Sequence, residues 1–132
     1  MKGRIISIPI NSDNRGCLAY AEAQTTIPFE IQRVFWIYGI PQKALRGGHA
    51  HWQCSEVVVP VHGSFTILLD DGFERDEVRI ASPDKGIVVP AGVWCELKDF
   101  ADDTVLLVMA SHHYDPTGYV HDYEEYLKAK RS

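Results

Sequence analysis

Apolar and polar residues along this chain alternate in short runs rather than at a helical period. β-branched and aromatic residues gather in RIISIPI (4–10), GCLAYAEA (16–23), IQRVFWIYGI (31–40), SEVVVPV (55–61), SFTILLDD (64–71), DEVRIAS (76–82), GIVVPAG (86–92) and TVLLVMAS (104–111). Turn formers separate them: DNRG, HGS, DDGF, SPDKG and FADD. Short strands at close, even spacing predict an all-β sandwich or barrel. His62-Gly63-Ser64 and Asp70-Asp71-Gly72 read as hairpin turns. The exception is DYEEYLKAKRS (122–132), where acids lead and bases follow, as the helix dipole favours. It predicts a short C-terminal helix capped by Asp122.

Length and composition narrow the picture. The chain has 132 residues, is 45% hydrophobic and 23% charged, and shows no repeat or linker, so one domain over 1–132 is expected. No apolar run approaches the ~20 residues of a membrane span. The N-terminus, MKGRIISIPINS, lacks the apolar core of a signal peptide. Cys17, Cys54 and Cys95 are odd in number and far apart, which argues against a disulfide framework. A cytoplasmic protein is expected. A net charge of −5 leaves no general field for nucleic acid, so a phosphorylated ligand would have to be held by local arginines such as Arg15, Arg33 and Arg46.

The candidate chemistry lies at RGGHAHWQCSE (46–56). Residues i and i+2 of a strand face the same way, so His49 and His51 point together, into the barrel on this reading. From His51, four residues lead to Glu56, and six more to Gly63. This spacing resembles the first motif of the cupin barrels, and Pro90-Ala91-Gly92-Val93-Trp94-Cys95 resembles the second, with Cys95 in place of a histidine. The resemblance implies a small jelly-roll barrel. In metal-binding cupins the equivalent residues are ligands, so His49, His51, Glu56 and Cys95 could hold zinc or iron. The alternative is that Glu56 is a structural or surface residue and Cys95 a small buried hydrophobe.

A narrower resemblance extends nearly end to end. DNRGCLAYAE (13–22), IPFEIQRVFWIYG (27–39), RGGHAH (46–51), HGSFTILLDDG (62–72), VVPAGVWCELKDFADDTVLLVMAS (88–111) and YDPTGYVHDYEEYL (114–127) are similar to the nucleotide-sugar 3,4-ketoisomerases. That family acts on dTDP-4-keto-6-deoxyglucose and supplies precursors of 3-amino-3,6-dideoxysugars. The resemblance implies an isomerase without metal or other cofactor, working as a homodimer that exchanges N-terminal strands. It implies Arg46 as a diphosphate ligand, His49 as the base and Arg15 as a phosphate ligand reaching in from the partner subunit. His51 would orient the sugar or relay a proton, and the reverse assignment of the two histidines remains open. Arg33 reads equally as a phosphate ligand or a solvent-facing strand residue. Trp36 and Trp94 could stack on thymine or line the sugar pocket, and ordinary core is as good a reading of either. Tyr114, Tyr119, Tyr123 and Tyr126 read as packing for the C-terminal segment, and His112, His113 and His121 as structural or exposed.

Two positions depart from the family pattern. Phe35-Trp36 stands where paired tyrosines follow Arg-Val, and Cys95 where a histidine is usual. Tyr38 is a candidate replacement for the missing hydroxyl, although it shares a strand face with Trp36, not with Phe35. These departures keep open a third reading, a nucleotide-sugar-binding cupin without catalysis.

Overall fold

The structure, a computed structural model, describes residues 2–132. Strands β1 (Arg4–Ser7), β9 (Lys85–Val89), β6 (Glu56–His62), β11 (Val105–Ala110) and β4 (Arg33–Ile37) form one antiparallel sheet in that spatial order. The second sheet runs β12 (Tyr119–Val120), β5 (Arg46–His51), β10 (Trp94–Lys98), β7 (Phe65–Asp70), β8 (Arg75–Ile80). β2 (Ile10–Asp13) and β3 (Gly16–Ala19) form a separate two-stranded sheet among the described residues. The apolar sides of the two five-stranded sheets meet. Val58, Ile87, Leu106 and Val108 of the first pack with Phe65, Ile67, Leu69 and Leu97 of the second. The two-layer jelly roll read from the sequence is therefore present.

Several boundaries move. RIISIPI divides at Ile8-Pro9 into β1 and β2, since proline cannot donate to a ladder. The turn at Asp70-Asp71-Gly72 does join a hairpin, with β7 and β8 paired from Phe65↔Ile80 to Asp70↔Arg75. His62-Gly63-Ser64 does not: it carries the chain from β6 in one sheet to β7 in the other. Gly63 has φ +85°, and a Cβ there would lie 2.2 Å from Thr104 Oγ1, so the crossing needs glycine. β10 and the two-residue β12 were not legible as strands.

The C-terminal helix α1 (Tyr123–Arg131) begins where expected: Asp122 caps it by accepting from the Glu125 N–H. Its Tyr126 is fully buried and donates to the Gly92 carbonyl at 2.6 Å, with the Asp70 carbonyl 2.9 Å away. Together with Ala50, Trp94 and Val120 it forms a small cluster behind β5 and β10. Among the described residues no helix is long and apolar enough to cross a membrane.

Candidate active site

The Arg-Gly-Gly run has a geometric purpose. In a regular strand Arg46 and His49, three apart, would face opposite ways. Gly47 and Gly48 have φ +77° and +71°, and the β5–β10 register slips at Cys95/Glu96. The slip is a bulge of the kind that left-handed glycine permits. It turns Arg46 onto the face that carries His49 and His51. All three line one inner cavity of about 160 Å³ with Phe35, Glu56, Cys95 and Tyr119. Ala50, between the histidines, faces the helix cluster instead.

The two imidazoles meet edge-on, centroids 4.8 Å apart at 84°. His51 is 6% exposed, and its Nε2 lies 3.5 Å from Glu56 Oε2. Arg33 Nη2 reaches the same carboxylate oxygen at 3.8 Å. Burial lowers the pKa of His49 and lowers that of His51 to about 4, where the charges of His49, Arg33 and His121 add to the effect. Burial raises Glu56 to about 7, against the pull of Arg33. The consequence is a pair of neutral imidazoles at neutral pH, the form needed to accept a proton.

Tyr119 belongs to this site, contrary to its reading as packing for the C-terminal segment, and His121, exposed as one of its two readings had it, stacks beside it. β12 pairs with β5 at Tyr119↔His51. The Tyr119 ring lies 4.2 Å from that of His51 and 5.3 Å from that of His49, and it stacks on His121 at 5.4 Å. The period-two spacing of Tyr119 and His121 echoes that of His49 and His51 and is the one sequence signal for them. His51, Tyr119 and Arg33 also line a larger outer cleft of about 490 Å³, with Trp52, His112, His113 and Tyr114.

The remaining candidates separate from this centre. Trp94 is buried in the helix cluster, with its Nε1 donating to Glu96, so it is core and does not line the cavity. Phe35 and Ile37 face the cavity, while Trp36 on the opposite face of β4 and Tyr38 just past its end stand exposed. Tyr38 is therefore no substitute for a hydroxyl at Phe35. Arg15 lies at the exposed tip of the β2–β3 hairpin, paired with Asp13 at 2.7 Å. For a metal, His49, His51 and Glu56 present donor atoms all within 4.8 Å of one another. Cys95 is not in that group, so the four-residue ligand set does not converge. Three donors within this distance fit a divalent cation, which would act there as a Lewis acid.

Comparison with known proteins agrees with this architecture. A curated relative, the TDP-4-oxo-6-deoxy-alpha-D-glucose-3,4-oxoisomerase of Aneurinibacillus thermoaerophilus, is 38% identical over 128 residues, 97% of this chain and 92% of its own. QdtA, a sugar 3,4-ketoisomerase from Thermoanaerobacterium thermosaccharolyticum solved with TDP, superposes with a TM-score of 0.94 at 32% identity, covering 98% of this chain and 95% of its own. A 3,4-ketoisomerase from Helicobacter canadensis gives 0.96 at 33% identity, covering 100% and 99%. The family model described as FdtA, WxcM-like, C-terminal, matches residues 1–131. With the jelly roll, the bulged histidine strand and these matches in agreement, the chain belongs to the FdtA, WxcM-like C-terminal family, whose solved relatives include sugar 3,4-ketoisomerases.

Proposed function

We propose that this protein is a sugar 3,4-ketoisomerase that moves the carbonyl of TDP-4-keto-6-deoxyglucose from C4 to C3. The observation that carries the reading is the neutral His49–His51 pair on the wall of a small cavity that Arg46 also lines. The ketone at C4 acidifies the proton on C3. His49 removes it, the enediolate forms, and the same imidazole returns a proton to C4. His51, held against Glu56, orients the sugar. Arg46 grips the diphosphate, with Arg33 as a second cation at the cleft, and this remote binding fixes the reacting carbons. No step of this scheme uses a metal or organic cofactor.

The working form on this proposal is a homodimer of cupin domains in the cytoplasm. Among the described residues the β2–β3 hairpin has no further sheet partner, and it exposes Leu18 and Ile10. β4 is a sheet edge, and it exposes Val34 and Trp36. A hairpin exchanged onto a second copy would cover both and carry Arg15 to the partner's phosphate site.

The test is proton NMR of the purified protein with TDP-4-keto-6-deoxyglucose in deuterated buffer containing chelator. A 3-keto sugar carrying deuterium at C4 is expected. Binding without turnover would replace the proposal with a non-catalytic nucleotide-sugar receptor. Turnover abolished by the chelator and restored by metal would replace it with a metal-dependent cupin.

A further inference from the structure

On the ketoisomerase reading, on which this inference rests, the sugar reacts only while the histidines keep their places, and a misplacement of about 1 Å can cost about 10²-fold in rate. His49 and His51 lie at the end of β5, whose last residue is His51. The His51 carbonyl accepts a hydrogen bond from the Gly92 N–H at 2.7 Å. Gly92 belongs to the turn at 90–93 that leads into β10, closed by the Val93 N–H donating to the Pro90 carbonyl. The Gly92 carbonyl in turn accepts from the Tyr126 hydroxyl at 2.6 Å.

We propose that Tyr126 of α1 is a positioning residue for the isomerisation: its hydroxyl holds the Gly92 turn, and the turn holds the end of β5 that carries the histidines. Tyr126 lines neither cavity, so it acts only through this chain of contacts.

The contacts of Tyr126 converge on residues 50–52. Ala50 packs in one buried cluster with its ring. His51 is held through Gly92. Trp52 stacks on Tyr126, centroids 5.8 Å apart at 22°. The phenol has one proton to give, and its shorter contact is the one to Gly92 rather than to Asp70. Tyr126 is fully buried, so no water stands ready to replace that donor. Without it the turn loosens, the His51–Trp52 peptide gains freedom to rotate, and the imidazole moves at the end of that lever.

α1 supplies its own control. Tyr123, on the same helix, also donates its hydroxyl to the barrel, but to the Asp70 carboxylate, where Arg75 joins it. That bond fastens the helix to the β7–β8 hairpin and not to the Gly92 turn.

The test compares Y126F with Y123F, each of which keeps its ring and loses one anchoring hydroxyl. For Y126F we expect kcat to fall about tenfold, with KM within about threefold of wild type and TDP binding retained. The Gly92 amide should also exchange its hydrogen faster than in wild type. For Y123F we expect kcat within about threefold of wild type, whatever its thermal midpoint. A Y126F variant with wild-type kcat overturns the inference while leaving the ketoisomerase reading intact. An equal loss of kcat in Y123F shows general anchoring of the helix and overturns it too. A Y126F variant that does not fold, or no longer binds TDP, shows a structural role and overturns it as well. A wild-type protein that does not isomerise the sugar overturns the reading and the inference together.

Discussion

Cys95 stands directly opposite His49 across the β5–β10 ladder, and both side chains wall the inner cavity. Burial pushes that thiol up and keeps it uncharged, so it lends His49 no electrostatic help. Cys95→Ala is therefore expected to leave kcat within about threefold of wild type. A steady-state assay checks this, and a loss beyond about 10²-fold would place the thiol in the chemistry.

His49→Asn keeps a polar side chain of similar size but cannot cycle a proton. Turnover should fall by about 10²–10⁴-fold, with TDP binding by calorimetry retained. Full activity in this variant would move the base assignment to His51.

On the proposed reading Arg46, which lines the inner cavity, holds phosphate rather than reacting. Arg46→Ala should raise KM and the Kd for TDP by about tenfold or more, with a smaller effect on kcat at saturation. An unchanged Kd for TDP would remove Arg46 from the phosphate site.

Glu56 makes stability depend on pH. Its folded pKa, about 7, lies above the ordinary 4.5, so the folded state holds the proton more tightly than the unfolded state. That contribution is fully present below the unfolded pKa and is lost as pH rises through about 7. The size of the shift corresponds to roughly 3 kcal/mol. His51 works in the opposite sense: its pKa falls from 6.5 to about 4, so stability is lost as pH drops through that window. In Glu56→Gln the alkaline loss should disappear, leaving chemical-denaturation stability flatter between about pH 5 and 8 than in wild type. The same slope in both proteins would show that Glu56 does not carry the titration.

Gly63 holds a left-handed turn against Thr104, whose hydroxyl donates to the Ala101 carbonyl at 2.7 Å. Gly63→Ala should lower stability by about 2 kcal/mol or more, from the backbone conformation and the collision together. A thermal midpoint equal to wild type would mean that the crossing tolerates a Cβ.

Much of the fold was legible locally. Alternation at period two gave the strands, the charge order of residues 122–132 gave the helix with its Asp122 cap, and His49 and His51 shared a face because of that same periodicity. Strand pairing is a different matter, because it joins residues far apart in the chain. No local pattern says that His62-Gly63-Ser64 changes sheets, that Gly47 and Gly48 bulge to turn Arg46 inward, or that Trp94 packs behind the sheet under α1. Nor could any local pattern place Tyr119 across from His51, 68 positions earlier. The sequence by itself determined which residues could exchange protons. The tertiary structure decided which of them meet and how far burial keeps their charges off, since desolvation and contact depend on what lies nearby in space rather than along the chain.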